Sequence, residues 1–513
     1  MIEMRRAQRS FGDGLIAEEV EDLREAWMEH ADRLLDDEAI VAAIYEALSR
    51  RHPKSRSRGR RGAPAEMVLR LLILKHVRNW SYEVLEREVR ANLVYRDFTR
   101  VGAGKMPDAK TMGRWGTAIG PEAIKQVHHR LVQMAQAEGI TTGRRMRVDT
   151  TVVETNVHYP TDSSLLGDGV RVLTRIMKKI TTIAGEVGTK LRNRSRSVKL
   201  RVLDIARAAR AKGAQSQERL KRSYGRLLAS AGRVVGQAKR FAVEITDGVK
   251  RASTVVGLLA LEGLRLELDA MVPRVKQVMK QTRARIFGGN TRVADKLLSL
   301  FEPSTEIIRK GKAAKPNEFG KMVKLQEAEN QIVVDYEVYD RRPNDADLLI
   351  PAIEVHQARL GRVPYLVAAD AAFYSGKNET AATAKGVKRV CVPNRSTTSL
   401  ERKREQKKRW FRNGQKWRTG SEGRISVVKR RHGLPAAATR ATTACAAGSA
   451  SASSATTLSR WGMLWPAGPT FSAQPATFPA QARRIVTGGL PHLPSTRQSH
   501  ETRILRRKVA KLS

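Results

Sequence analysis

Three carboxylates stand where a folded chain could gather hard oxygen ligands. Asp149 lies in a β-branched run, MRVDTTVV; Asp370 ends an apolar stretch, YLVAAD; Glu422 opens SEGRISVVKRRHG. Attack on a phosphodiester needs an activated water or 3′-hydroxyl and a stabilised leaving oxygen. Two Mg²⁺ ions about 4 Å apart supply both. Mg²⁺ takes hard oxygens and keeps several waters, so a few carboxylates on a rigid sheet suffice, and Mn²⁺ is a substitute. Arg418 precedes Glu422 by four residues and Lys429 follows it by seven. If the helix reaches back to Arg418, the three share one stripe. Two cations flanking a carboxylate suit a centre that holds metal and grips phosphates; the same spacing also serves a plain intrahelical salt bridge.

Other basic groups could grip the same polyanion. Arg309, Lys310 and Lys312 surround Gly311 in IIRKGK, the pattern of a phosphate-contacting loop or of a solvated one. Trp410 and Trp417 alternate with Lys and Arg before Glu422; such rings stack on an unpaired base or pack into a core. His158, His356 and His432 share no metal-ligand spacing and read as structural or DNA-contacting, while Asp162 and Asp347 are alternative carboxylates for the centre. Over 513 residues, 95 Lys and Arg against 51 Asp and Glu leave a net charge of +44. Self-repulsion of that size opposes compaction. A polyanionic partner explains it through counterion release, and its spread over several segments favours nucleic acid over a ribosomal or membrane surface. Cys391 and Cys445 form no CxxC pair, which excludes a disulfide framework and a thiolate zinc site. No run of about 18 apolar residues occurs, and MIEMRRAQRSFGDG has no apolar signal core. The expected location is cytoplasmic and nucleoid-associated, with no membrane partner.

These residues need a scaffold. Apolar positions recur with helical period at Ile16, Val20, Leu23 and Trp27, at Ile40, Ile44 and Leu48, and again from Met67 to Leu93. Asp108 after Pro107 reads as the N-cap of a helix carrying Trp115. Residues 1–140 therefore read as an all-α N-terminal bundle, in which Tyr82 to Trp115 could hold a helix-turn-helix or pack as plain helices. The β-branched run at Asp149 marks a strand. Residues 165–300 form a long basic helical insertion, its cations either a solvated face or a phosphate track. KMVKLQ and QIVVDYEVYD alternate as an antiparallel pair. A helix closed by Gly361, the strand PYLVAAD, a helix ending at Gly386 and the strand VKRVCVP follow, then a last helix from about Gly420 with Glu422 in its first turn. This order predicts an α/β domain over 141–434, a mixed sheet flanked by helices, with carboxylates at strand ends where such sheets place ligands. From Pro435 the text becomes PAAATRATTACAAGSASASSATT, and only Glu501 is acidic thereafter. Such text does not easily bury a core. A disordered low-complexity linker is the ordinary reading of residues 435–513; GC-rich coding DNA read out of frame gives the same text, and a tail left by a frameshift near codon 434 is the preferred one.

Arg418, Glu422 and Lys429 resemble the R-x3-E-x6-K signature of DDE transposases of bacterial insertion sequences. RRMRVDTTVVETNVHYPTDSSLL looks like that family's first-Asp region and VAADAAFYS like its second. FRNGQKWRTGSEGRISVVKRRHGL is similar to members with a helical insertion after the first Asp, in the insertion-sequence-4-like superfamily. The resemblance covers roughly residues 15–434. Gln415 stands where the signature usually has Tyr, and Ala369 and Ala372 stand at or near the usual glycines.

The resemblance implies an RNase H-like fold with the first two carboxylates on adjacent strands. The 221 residues from Asp149 to Asp370 (370 − 149) then require the insertion, and the 52 from Asp370 to Glu422 (422 − 370) leave room for one helix and one strand. It implies Asp149, Asp370 and Glu422 as catalytic Mg²⁺ ligands, the aspartates sharing the metals and Glu422 holding the second ion. Arg418 and Lys429 would bind phosphates. The implied activity is hydrolysis at transposon ends, then transfer of the 3′-hydroxyl into target double-stranded DNA. The N-terminal bundle would recognise terminal inverted repeats and support a homodimeric synaptic complex. Two competing readings are a regulator or decayed transposase that binds ends without cutting, and another RNase H-like nuclease such as a resolvase.

Overall fold

Side-chain caps start most of the helices that precede the first strand. Ser10 and Asp13 form a capping box on α1 (Phe11–Glu19). The helix α2 (Ala26–Leu35) follows, then α3 (Glu38–Ser49) capped by Asp37, α4 (Ala65–Arg78), α5 (Tyr82–Ala91) capped by Ser81 and α6 (Leu93–Phe98) capped by Asn92. As expected, Asp108 caps α7 (Ala109–Ala137), accepting from the Thr111 amide. Gly120, at φ +70°, and Pro121 bend α7 midway. The computed structural model describes residues 2–6, 8, 10–51, 56, 62–155, 159–211, 213–309 and 317–431, all within one unit, Met1–Leu464. Lys310, Lys312, His158, His432, Cys445 and the 435–513 tail lie outside the described residues.

The chain is mostly helical around a mixed sheet. The β-branched run forms the central strand β1 (Arg145–Glu154), with Asp149 in its middle. Four helices fill the insertion: α8 (Asp162–Ala184), α9 (Ser195–Arg210), α10 (Ala214–Thr246) and α11 (Val255–Ile286). They bury their own core, including Leu173, Leu227, Phe241, Leu268 and Val275. The chain returns through β2 (Glu306–Arg309), β3 (Asn317–Glu327) and β4 (Val333–Tyr339). β3 runs antiparallel to β1 on one edge and to β2 and β4 on the other. Then come α12 (Leu349–Leu360), closed by Gly361 at φ +67°, β5 (Leu366–Ala368), α13 (Gly376–Ala384) and β6 (Arg389–Cys391). β5 lies parallel to β1, and β6 parallel to β5. Two helices finish the described chain, α14 (Leu400–Lys407) and α15 (Arg409–Arg431).

Three expectations need correction. The last helix starts at Arg409, eleven residues before Gly420 (420 − 409), so Glu422 sits in its middle rather than its first turn. α14 precedes it where no helix was expected. Arg309 ends a strand, paired with Asn317, rather than lying in a basic loop.

The alternation of β1 sorts its side chains. Met146, Val148 and Val152 join Ile353, Val367 and Phe373 in the core beneath α12 and α13. Arg147, Asp149 and Val153 face the other way, where Val153 meets Val428 of α15. The carboxylate thus lies between the sheet and the last helix.

Candidate active site

Asp149 is almost enclosed, its side chain 14% exposed. One carboxylate oxygen accepts from the Thr150 amide at 2.8 Å and the other from the Ser421 hydroxyl at 3.0 Å. Burial pushes the Asp149 carboxyl above the usual carboxylate range, and the charge of Asp370 adds to the rise. The bonds from Ser421 and Thr150 and the Arg418 guanidinium oppose it. Asp370 follows the neighbouring strand β5 by two residues and accepts from the Ala371 amide at 2.7 Å. Its side chain is 42% exposed, with Arg395 at 3.9 Å.

Glu422 joins the centre through a cation. Arg418 lies 3.6 Å from Asp149 and 3.0 Å from Glu422, bridging a nearly buried carboxylate to one that is 62% exposed. The expected stripe exists, because α15 runs through all three residues. Among the described residues, however, no group of three or more His, Cys, Asp or Glu is close enough to hold a metal ion. The structure brings Asp149 into electrostatic contact with Asp370 and links it to Glu422 only through Arg418.

The remaining site candidates lie differently. Lys429 donates to the Val152 carbonyl at 2.6 Å, which fastens α15 to β1. Arg309 is exposed at the end of β2. Asp162 pairs with Arg285 at 2.6 Å inside the insertion, and Asp347 lies in a short 3₁₀ turn before α12. Trp410 and Trp417 pack against the cluster formed by Leu366, Ala368, Cys391 and Phe411. Arg145 and Arg147 stand over the Trp417 ring at 4.4 and 5.0 Å, so that ring serves packing. His356 is buried and bonds the Gly143 carbonyl at 2.8 Å.

Ser421 is a hydrogen-bond partner of Asp149 that the sequence did not single out. Only its position, one residue before Glu422 on a helix lying against β1, could have marked it. Gln415, at the position where the signature usually has Tyr, has a clear task here: its amide donates to the Cys391 carbonyl at 2.6 Å and to that of Ala369 at 3.4 Å. It thereby ties the ends of β5 and β6 behind Asp370. Arg147 fastens α15 in turn, donating to the Trp417 carbonyl at 2.6 Å and pairing with buried Glu327, which Arg424 also approaches at 3.9 Å. Burial pushes the Glu327 carboxyl up against the opposing pull of Arg147.

Residues 17–117 match the family model described as "Transposase domain (DUF772)". The match supports a transposase family. It spans the N-terminal helices from the end of α1 to the straight first half of α7. A transposase-related domain points to a function in transposition of a mobile element. No curated protein and no solved structure matches the chain. Among the described residues, no helix is long and apolar enough to cross a membrane.

Proposed function

We propose that the chain is a DDE transposase: on an RNase H-like sheet it cleaves DNA strands at insertion-sequence ends and transfers them into target DNA. The observation that carries this reading is that Asp149 within β1 and Asp370, two residues past the end of the adjacent parallel strand β5, lie close enough for the charge of Asp370 to perturb Asp149. Two like-charged carboxylates, one buried, suit a shared hard cation, and the oxygen donor set fits Mg²⁺ or Mn²⁺. Such an ion would supply an activated nucleophile and a stabilised leaving oxygen.

The chain's own residues prepare the centre. Ser421 and the Thr150 amide orient Asp149; the Ala371 amide orients Asp370. Exposed Glu422 can turn from Arg418 toward the aspartates, freeing the guanidinium for a phosphate, whose planar fork matches that group. Lys429 serves as a brace. The N-terminal helices would recognise terminal inverted repeats in a homodimer at the nucleoid.

The test is cleavage of an inverted-repeat duplex with Mg²⁺ and with Mn²⁺. Wild type should nick at the repeat ends, while Asp149→Asn and Asp370→Asn abolish nicking and still bind. Cleavage retained by either variant overturns the assignment. A second reading, a decayed transposase that binds ends without cutting, is favoured by the absence of a three-ligand group among the described residues and by the compositional break after Leu434. Tight binding by wild type without nicking in either metal supports it.

A further inference from the structure

The insertion carries a regularity that the carboxylate centre does not use. On α10, Arg219, Arg226, Arg233 and Arg240 recur every seven residues, and Arg222 falls on the same side. All five are exposed. They lie opposite the helix face formed by Leu227, Leu228, Ala231, Val234 and Phe241, which packs into the insertion core. A seven-residue repeat drifts by only about 20° per heptad on a straight helix, so the four make a nearly straight stripe. At about 1.5 Å per residue, the 21 residues from Arg219 to Arg240 (240 − 219) span roughly 31 Å. That approximates one turn of duplex DNA, about 34 Å.

The stripe has no internal counter-charge. The two carboxylates on α10 are engaged elsewhere: Glu218 faces Lys221 at 3.9 Å, and Glu244 holds Lys250 at 3.4 Å and accepts from the Thr189 amide at 3.0 Å. Among the described residues, none of the five arginines reaches a carboxylate, and the one polar contact their side chains make is Arg233 to the Ala229 carbonyl. α11 continues the positive field. It lies antiparallel to α10, with Gly225 opposite Phe287 and Gly232 opposite Met279. There Lys276 lies beside Lys239, and the neighbouring ammonium holds it below the usual lysine range. Like charges kept together at a surface cost free energy unless an anion neutralises them. Between the arginines the stripe carries Ala229 and Gly236, small residues that let a broad partner approach.

We infer that the outer face of α10 is a docking surface for the phosphate backbone of double-stranded DNA, separate from the carboxylate centre and spanning about one helical turn. This rests on the transposase reading for the choice of DNA as the polyanion.

The test uses the full chain and a duplex of random sequence. Each phosphate contact adds about 0.9 to the slope of log K against log salt. Replacing Arg219, Arg226, Arg233 and Arg240 together with Gln should lower that slope by about 3.6 and weaken binding at least tenfold at 0.1 M salt. The four Arg→Lys replacements should keep the slope. Removing four exposed cations elsewhere (Lys178, Lys179, Arg192 and Arg196) should lower it by less than one. Paired variants, R219Q/R240Q and R226Q/R233Q, carry the comparison if the quadruple variant melts early. A Gln quadruple with an unchanged slope, a control with an equal loss, or a stripe needed only for anionic vesicles or single-stranded RNA overturns the proposal. Asp149→Asn keeps the full slope if the surface is separate, so loss of cleavage there does not touch this inference.

Discussion

At Asp149, chemistry and stability pull in opposite directions. A buried carboxylate facing a second one loses hydration and gains repulsion, and Arg418 compensates only in part at 3.6 Å. Asp149→Asn keeps the shape and removes the charge. The melting temperature of this variant should rise by a few degrees at pH 7.5 as its cleavage disappears, measured by calorimetry; a lower melting temperature contradicts the account. Gln415 makes the opposite case, a residue spent on support. Gln415→Leu leaves the Cys391 carbonyl without its 2.6 Å donor. The expected loss of stability is about 1–3 kcal/mol, read by urea denaturation, with cleavage falling further than end binding. Equal losses in cleavage and binding would show that Gln415 does not hold the Asp370 loop in place.

The element that joins these residues is α15, and it was only half legible. RISVVKRR has obvious helical rhythm, but RWFRNGQKWRTG contains two glycines and few apolar residues, which normally end a helix. The structure explains them. A Cβ at Gly414 would come within 2.5 Å of the Cys391 sulfur, and one at Gly420 within 2.5 Å of the Arg147 guanidinium. The glycines let the helix lie close on β6 and β1; they do not break it. Gly414→Ala should therefore destabilise by about 1–3 kcal/mol through overpacking, and Cys391→Ala should restore most of the loss. A double variant no better than Gly414→Ala alone rules that contact out. The β1 strand was legible because its β-branched residues report a pleated surface directly, and β3 and β4 because one face alternates. Four-residue β2 escaped because so short an edge strand carries no period. Ser421 escaped because a serine on a helix becomes a carboxylate partner only once the helix is packed.

Across the whole molecule, a seam joins the N-terminal helices to the sheet. His128 of α7 packs edge-on against Tyr336 of β4, with ring centroids 5.7 Å apart. Burial pushes the His128 imidazole down to about 3, helped by the charges of His129, Arg359 and Lys125, and burial pushes His129 to about 4. Both rings are neutral when folded and protonated when unfolded below about pH 6.5. Their stabilisation is therefore present above that pH and lost as pH falls toward 4 and then 3. His128→Gln should flatten the pH dependence of unfolding between pH 6 and 4 by about 1.4 kcal/mol per pH unit. Identical slopes in the two proteins would place the titration elsewhere. The insertion between β1 and β3 has a consequence for biosynthesis. Glu154 pairs with Gly320, a separation of 166 residues (320 − 154). At a ribosomal pace of about 5–20 residues per second, the apolar central strand waits roughly 8–33 seconds for its first partner. Through that interval the nascent chain exposes Val148, Val152 and Val153 beside the ribosome, so its yield in the cell should depend on a chaperone that holds extended apolar segments.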